Sequence, residues 1–155
     1  MRGKRAKKRP INPDSLYKSK VVSRMINVVM QDGEKSIAEN IVWSALGKLS
    51  EDRKEAVKSF EDAVKNVMPQ QEVRSRRIGG ATYQVPIPLR HDRSEALAIR
   101  WIVQAARNKS GKPMVENLYD ELKNAHEGIG DAIKKRDDTH RMAEANRAFA
   151  HFARY

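Results

Sequence analysis

Gly79-Gly80 sits inside a basic stretch, Glu72 to Leu89, that allows little except a β-hairpin. Two consecutive glycines supply the positive-φ residues that a two-residue hairpin loop demands. Folding there places Arg76 opposite Tyr83, Arg74 opposite Val85, and Val73 opposite Pro86. In that register Pro86 falls at a non-hydrogen-bonded position, where its missing N–H costs nothing. Pro88 turns toward the same outer edge, and the two prolines protect that edge from pairing with another strand. A two-stranded ribbon has little core of its own. One carrying Arg74, Arg76 and Arg77 therefore points to a partner, against the plainer reading of a solvated hairpin with incidental arginines.

The rest of the chain carries helical periods. Val22, Met25, Ile26 and Val29 predict a helix within Lys18 to Gln31, closed by Asp32-Gly33. Ile37, Ala38, Ile41, Val42, Ala45, Leu46 and Leu49 predict a second over Glu34 to Leu49. Ser50 is a candidate N-cap for a third, with Val57, Phe60, Val64 and Val67 on its apolar face and Pro69 as its stop. After the hairpin, Asp92 to Asn108 carries Ala96, Ile99, Val103 and Ala106 beside Ala98, Ile102 and Ala105. Pro113 opens a fifth helix lined by Met114, Leu118, Leu122 and Ala125, which Gly128 ends. Asp131 to Phe152 forms the last, with Ile133, Met142, Ala145, Phe149 and Phe152 inward. The expected fold is mainly α: a bundle of about six helices with one protruding two-stranded β-hairpin, 72–89, between the third and fourth helices. Residues 1–17 form a basic N-terminal tail, and 18–155 a single helical domain.

Net charge is +11 over 155 residues, so the protein attracts polyanions. The charge is uneven: the first twenty residues hold eight Lys or Arg against the single acid Asp14, whereas 50–62 and 115–131 are acidic on balance. Cysteine is absent, which removes disulfides, thiolate metal sites and cysteine nucleophiles together. No apolar run approaches the roughly 20 residues that span a bilayer, and the basic start lacks the apolar segment of a secretory signal. The expectation is a protein with no membrane partner.

Arg93, Arg100 and Arg107 recur every seven residues on the fourth helix and so project as one stripe. Such a stripe suits successive phosphates or splayed bases; the competing reading is a salt-bridged face using Asp92 and Glu95. The Arg-Tyr face of the hairpin is of the kind single-stranded RNA favours, or else a cation–π pair that stiffens the ribbon. In the last helix Lys134, Lys135, Arg136, Arg141 and Arg147 compete with Asp137, Asp138 and Glu144 for intrahelical pairing. Catalytic signatures are missing: no His-Glu-x-x-His, no phosphate loop, no Gly-x-Ser-x-Gly. His140 and Glu144, four apart, could form an acid/base pair, with neither a metal set nor a pocket motif beside it. The residues by themselves reach an RNA-binding helical domain, with no cofactor and no catalysis indicated.

Four segments then carry a resemblance over nearly the whole length: Ser19 to Ala45, with Met25-Ile26-Asn27, Met30, Asp32-Gly33, Lys35 and Ile41-Val42; the hairpin Glu72 to Pro86; Ala96 to Trp101; and Lys135 to His151. Together they resemble the bacterial-type seventh protein of the small ribosomal subunit, the universal S-seven family. Glu34 stands where that family usually has a lysine after the glycine, leaving Lys35 to carry the loop.

The resemblance implies a structural ribosomal protein that binds the 3′ major domain of 16S rRNA and nucleates assembly of the head. It further implies exit-site tRNA and mRNA nearby, the ninth and eleventh small-subunit proteins as neighbours, and a place in a cytoplasmic or organellar ribosome. The residues expected at rRNA are Arg2, Lys4, Arg5, Lys7, Lys8 and Arg9 of the tail, Lys18, Lys20, Lys35, Arg74 and Arg76 at the hairpin, the stripe Arg93, Arg100 and Arg107, and Lys112. Those expected to face tRNA or mRNA are Arg77, Ile78, Gly79, Gly80, Thr82 and Tyr83 at the tip, with Arg141 and Asn146 of the last helix. A free-standing RNA-binding regulator, for example one binding its own mRNA, would use much the same surfaces and is the alternative.

Overall fold

The computed structural model describes residues 9–154, together with Gly3 and Ala6. Arg2, Lys4, Arg5, Lys7 and Lys8 lie outside the described residues. The order is α1 (Lys20–Val29), α2 (Lys35–Leu49), α3 (Arg53–Val67), β1 (Gln71–Ile78), β2 (Ala81–Pro88), α4 (His91–Asn108), α5 (Met114–His126), α6 (Asp131–Ala145) and a terminal 3-10 helix (Arg147–Arg154). The fold is mainly α with one antiparallel hairpin between α3 and α4, as the sequence predicts.

The core is aliphatic around one aromatic ring. Val22, Met25, Leu46, Phe60, Ile99, Ile102, Leu118 and Leu122 are all fully buried, and each such side chain contributes about 1.5–3 kcal/mol. Helix α5 packs against α2, α3 and α4 at once, and alanines such as Ala45, Ala63, Ala98 and Ala106 allow the close approaches. Helix α1 closes the side of α2 and α4. Its link to α2 turns on Asp32 and Gly33, both at positive φ.

Three apolar stripes are narrower than predicted. Ile37 is 53% exposed and Met142 49% exposed; Ala96 and Ala145 also face outward. Each lies one or two residues off the centre of its helix face, and one residue is about 100° of rotation. The buried faces centre instead on Ala38, Val42, Ala45 and Leu46 of α2, and on Ala132, Ile133, Thr139 and Ala143 of α6.

Two local expectations are also corrected. The N-cap of α3 is Asp52, whose carboxylate accepts the Lys54 N–H at 3.1 Å. Ser50 instead accepts the Asp52 N–H at 3.2 Å, bracing the cap from outside. The last helix does not run to Phe152: it stops at Ala145, where the Asn146 amide donates back to the Met142 carbonyl at 2.8 Å. The chain then tightens into the 3-10 helix.

The hairpin has the predicted register throughout, from Ile78 opposite Ala81 to Gln71 opposite Pro88. Gly79 and Gly80 both take positive φ, 56° and 89°. Its root is pinned from three sides. The Ser94 hydroxyl of α4 donates to the Pro69 carbonyl at 2.6 Å, His140 of α6 accepts the Gln70 N–H at 3.0 Å, and the Leu89 N–H closes the ribbon on the Gln70 carbonyl at 2.9 Å. One face of the ribbon is covered as well. Tyr83 packs its ring 5.2 Å from Phe149 and 5.3 Å from Phe152 of the terminal helix, and Arg76 donates to the Phe152 carbonyl.

Glu121 fixes the start of α6. It is fully buried, accepts the Ala132 N–H at 3.0 Å with Oε1, and pairs through Oε2 with Lys109 at 2.7 Å. Gly130 must be glycine here: φ is +102°, and a Cβ would come within 3.0 Å of Glu121 Oε1.

Candidate nucleic-acid interface

Asp14 anchors the segment leading into α1. It is buried, its carboxylate accepts the Leu16 and Tyr17 N–H groups at 3.0 and 2.9 Å, and the Trp43 indole N–H of α2 reaches it at 3.2 Å. Burial of the Tyr17 ring raises its phenol above the ordinary tyrosine range. Asp14 and Tyr17, expected from the sequence to belong to the tail, are thus tied to α2. Just before them, Arg9, Pro10 and Ile11 lie beside α1.

Between that strap, α1 and α4 lies a groove of about 620 Å³. Lys20, Arg24, Asn27 and Val28 line it from α1, and Asp92, Ala96, Ile99 and Arg100 from α4. The periodicity is simple: Lys20, Arg24 and Val28 are spaced by four on one helix, as are Asp92, Ala96 and Arg100 on the other, so each set shares a face. Arg24 is neutralised by the buried Glu95 carboxylate at 2.6 Å. Arg9, Lys20 and Arg100 are different: among the described residues they have no hydrogen-bonded or ionic partner, and all three are exposed. Three predicted RNA-binding residues, far apart in sequence, thereby converge on one groove. Arg24 and Asn27 are absent from the predicted set; the four-residue step from Lys20 was the signal for Arg24.

The stripe on α4 divides by role. Arg93 is held by Glu72 at 3.2 Å, and the same buried carboxylate takes Arg74 at 2.7 Å. Arg107 donates to the carbonyls of Val28 and Val29, the latter at 3.1 Å. Those carbonyls belong to the last turn of α1, where no intrahelical donor follows. Arg100, between the two, projects into the groove.

The remaining predicted cations are dispersed. Lys18 is exposed at positive φ just before α1. Lys35 pairs with Glu39 at 3.5 Å and lines a second, smaller pocket with Asn12 and Ser23, on the other side of Asn27. Lys112 pairs with Asp120 at 3.1 Å, and that hydrogen bond raises its ammonium above the ordinary lysine range. At the far end of the hairpin, Arg77, Gly79, Gly80 and Thr82 are exposed, with Ile78 half-buried beside them. Tyr83 and Arg76 lie on the covered face of the ribbon. Arg141 is exposed beside Asp138 at 3.7 Å, and Asn146 caps α6.

His140 and Glu144 do not form a pair. The Nε2 of His140 is occupied by the Gln70 N–H, and Glu144 takes Arg147 at 3.2 Å. Among the described residues, no helix is long and apolar enough to cross a membrane.

The family model described as Ribosomal protein S7p/S5e matches residues 1–147. Among curated relatives, the chain is 55% identical to Small ribosomal subunit protein uS7 of Fervidobacterium nodosum and 56% identical to the protein of that name from Nautilia profundicola. Each match extends over 153 residues, 98% of this chain and 99% of the relative. The Chelativorans protein of the same name is 54% identical over 96% of each chain. Identity at that level across both full lengths leaves one assignment: the chain belongs to the Ribosomal protein S7p/S5e family.

Proposed function

We propose that this protein is a structural, non-enzymatic constituent of the small ribosomal subunit, working in the cytoplasmic ribosome and holding rRNA through the face built from α1, α4 and the hairpin root. The observation that carries the RNA-binding face is the convergence of Arg9, Lys20 and Arg100, three cations without acid partners among the described residues, on one groove. Cations left unpaired in the free protein are available to phosphates at no cost in broken ion pairs, and phosphate contacts dominate nucleic-acid affinity.

At finer grain, the RNA is the 3′ major domain of 16S rRNA and the protein nucleates assembly of the head. The ninth and eleventh small-subunit proteins are its neighbours. Arg77, Thr82 and the glycine tip face exit-site tRNA and mRNA, as do Arg141 and the α6 end. The exposed edge of the ribbon beyond its covered face supports that division, since it reaches away from the core while contributing little to it.

The test is reconstitution of small subunits from rRNA and the remaining proteins, with and without this chain. Head proteins should join only when it is present. A complete head formed without it overturns the assembly role. Failure to sediment with the subunit at all would instead favour a free-standing regulator.

A further inference from the structure

We propose that the groove between the Arg9–Ile11 strap, α1 and α4 seats a single unpaired nucleotide of the bound RNA, its base on the apolar floor and its flanking phosphates on the cations at the rim. This rests on the RNA-binding reading of the same face and adds what that reading lacks, a seat for a base.

The groove is built for more than phosphate. Ile11, Val28, Ala96 and the deep-lying Ile99 give it an aliphatic floor, which a phosphate chain has no use for. Its volume of about 620 Å³ falls inside the range of small-molecule clefts, roughly 300–1,000 Å³. The Asn27 amide on its wall is a group that meets base edges, as both donor and acceptor. Lys20 and Arg100 stand on opposite walls, and the planar guanidinium of Arg100 can stack on a base as well as grip a phosphate. A paired base in a helix presents no face to such a floor; an unpaired one does.

Ala96 allows the test, because it is exposed on a helix and leucine there fills the groove without changing charge. Binding of the wild type, Ala96→Leu and Arg100→Gln to a transcript of the 3′ major domain is measured across a salt series, with base-specific chemical probing of each complex. Ala96→Leu should melt with the wild type and bind about tenfold more weakly, the scale set by one stacked base. Its salt slope should be unchanged, and one nucleotide protected by the wild type should become reactive again. If Ala96→Leu binds as the wild type while Arg100→Gln weakens binding and lowers the slope, the groove holds phosphates alone: this proposal falls and the RNA-binding face stands. The proposal falls in the same way if Ala96→Leu acts through a reduced slope. If both variants bind as the wild type, the reading of the face falls together with the proposal.

Discussion

His140 of α6 accepts the backbone N–H of Gln70 at 3.0 Å, so the last long helix holds the residue from which the hairpin springs. Ser94 of α4 holds the preceding carbonyl, that of Pro69, at 2.6 Å. The direction of the ribbon is thus set by two helices packed against each other, and its root moves only with the bundle.

Removing the buried partner at this root should cost most. Ser94→Ala leaves the Pro69 carbonyl without its donor and should destabilise the fold by about 1–3 kcal/mol. His140→Ala, at a more open position, should cost less than Ser94→Ala in chemical denaturation and act locally. Hydrogen exchange at the Gln70 amide reports it directly: exchange there should accelerate while amides of α5 stay protected. Unchanged exchange at Gln70 would mean the histidine bond does not hold the root.

Arg100 and Arg107, equivalent by sequence spacing, should behave differently. Arg107→Gln removes the donor to the Val28 and Val29 carbonyls and should lower the melting temperature. Arg100→Gln touches no such partner and should stay within about 0.5 kcal/mol of the wild type, while weakening rRNA binding. Paired melting and binding curves for the two variants separate the roles. A melting loss at Arg100 with affinity intact would reverse the assignment.

The two faces of the hairpin should separate likewise. Tyr83→Ala removes the ring on which Phe149 and Phe152 sit, at about 0.5–1.5 kcal/mol per aromatic pair, and should release the terminal 3-10 helix. Arg77→Gln, on the open side, should leave that helix in place and change retention of exit-site tRNA on rebuilt ribosomes. Near-ultraviolet circular dichroism reads the first effect and tRNA occupancy the second. If Arg77→Gln leaves occupancy normal, the tip has no part in tRNA passage.

Much of this architecture is legible in the residues themselves. Gly79-Gly80 with Pro86 and Pro88 leaves one hairpin register, and period 3.6 marks every long helix except the last within two residues. What escaped depends on contacts between segments distant in sequence. Neither glycine nor proline marks a helix stop around Asn146, and asparagine alone is a weak one; the break comes from its side chain capping Met142 and from the seat that Tyr83 offers Phe149 and Phe152. The buried bond between Asp14 and Trp43 hides in a run that otherwise reads as solvated tail. The α4 stripe is legible as a stripe, but its division into two tied arginines and one projecting one depends on where α1 ends and where Glu72 is buried.

In the function proposed above, unpaired cations of the α1–α4 groove hold rRNA phosphates. The most direct measurement is the salt dependence of binding to a 3′ major domain transcript, for the wild type against the triple variant Arg9→Gln, Lys20→Gln, Arg100→Gln. Each phosphate that is no longer neutralised should reduce the slope of log K against log salt by about 0.7–0.9, so the slope for the triple variant should fall by about 2.1–2.7 with its melting temperature unchanged. A folded triple variant with the wild-type slope would contradict the account.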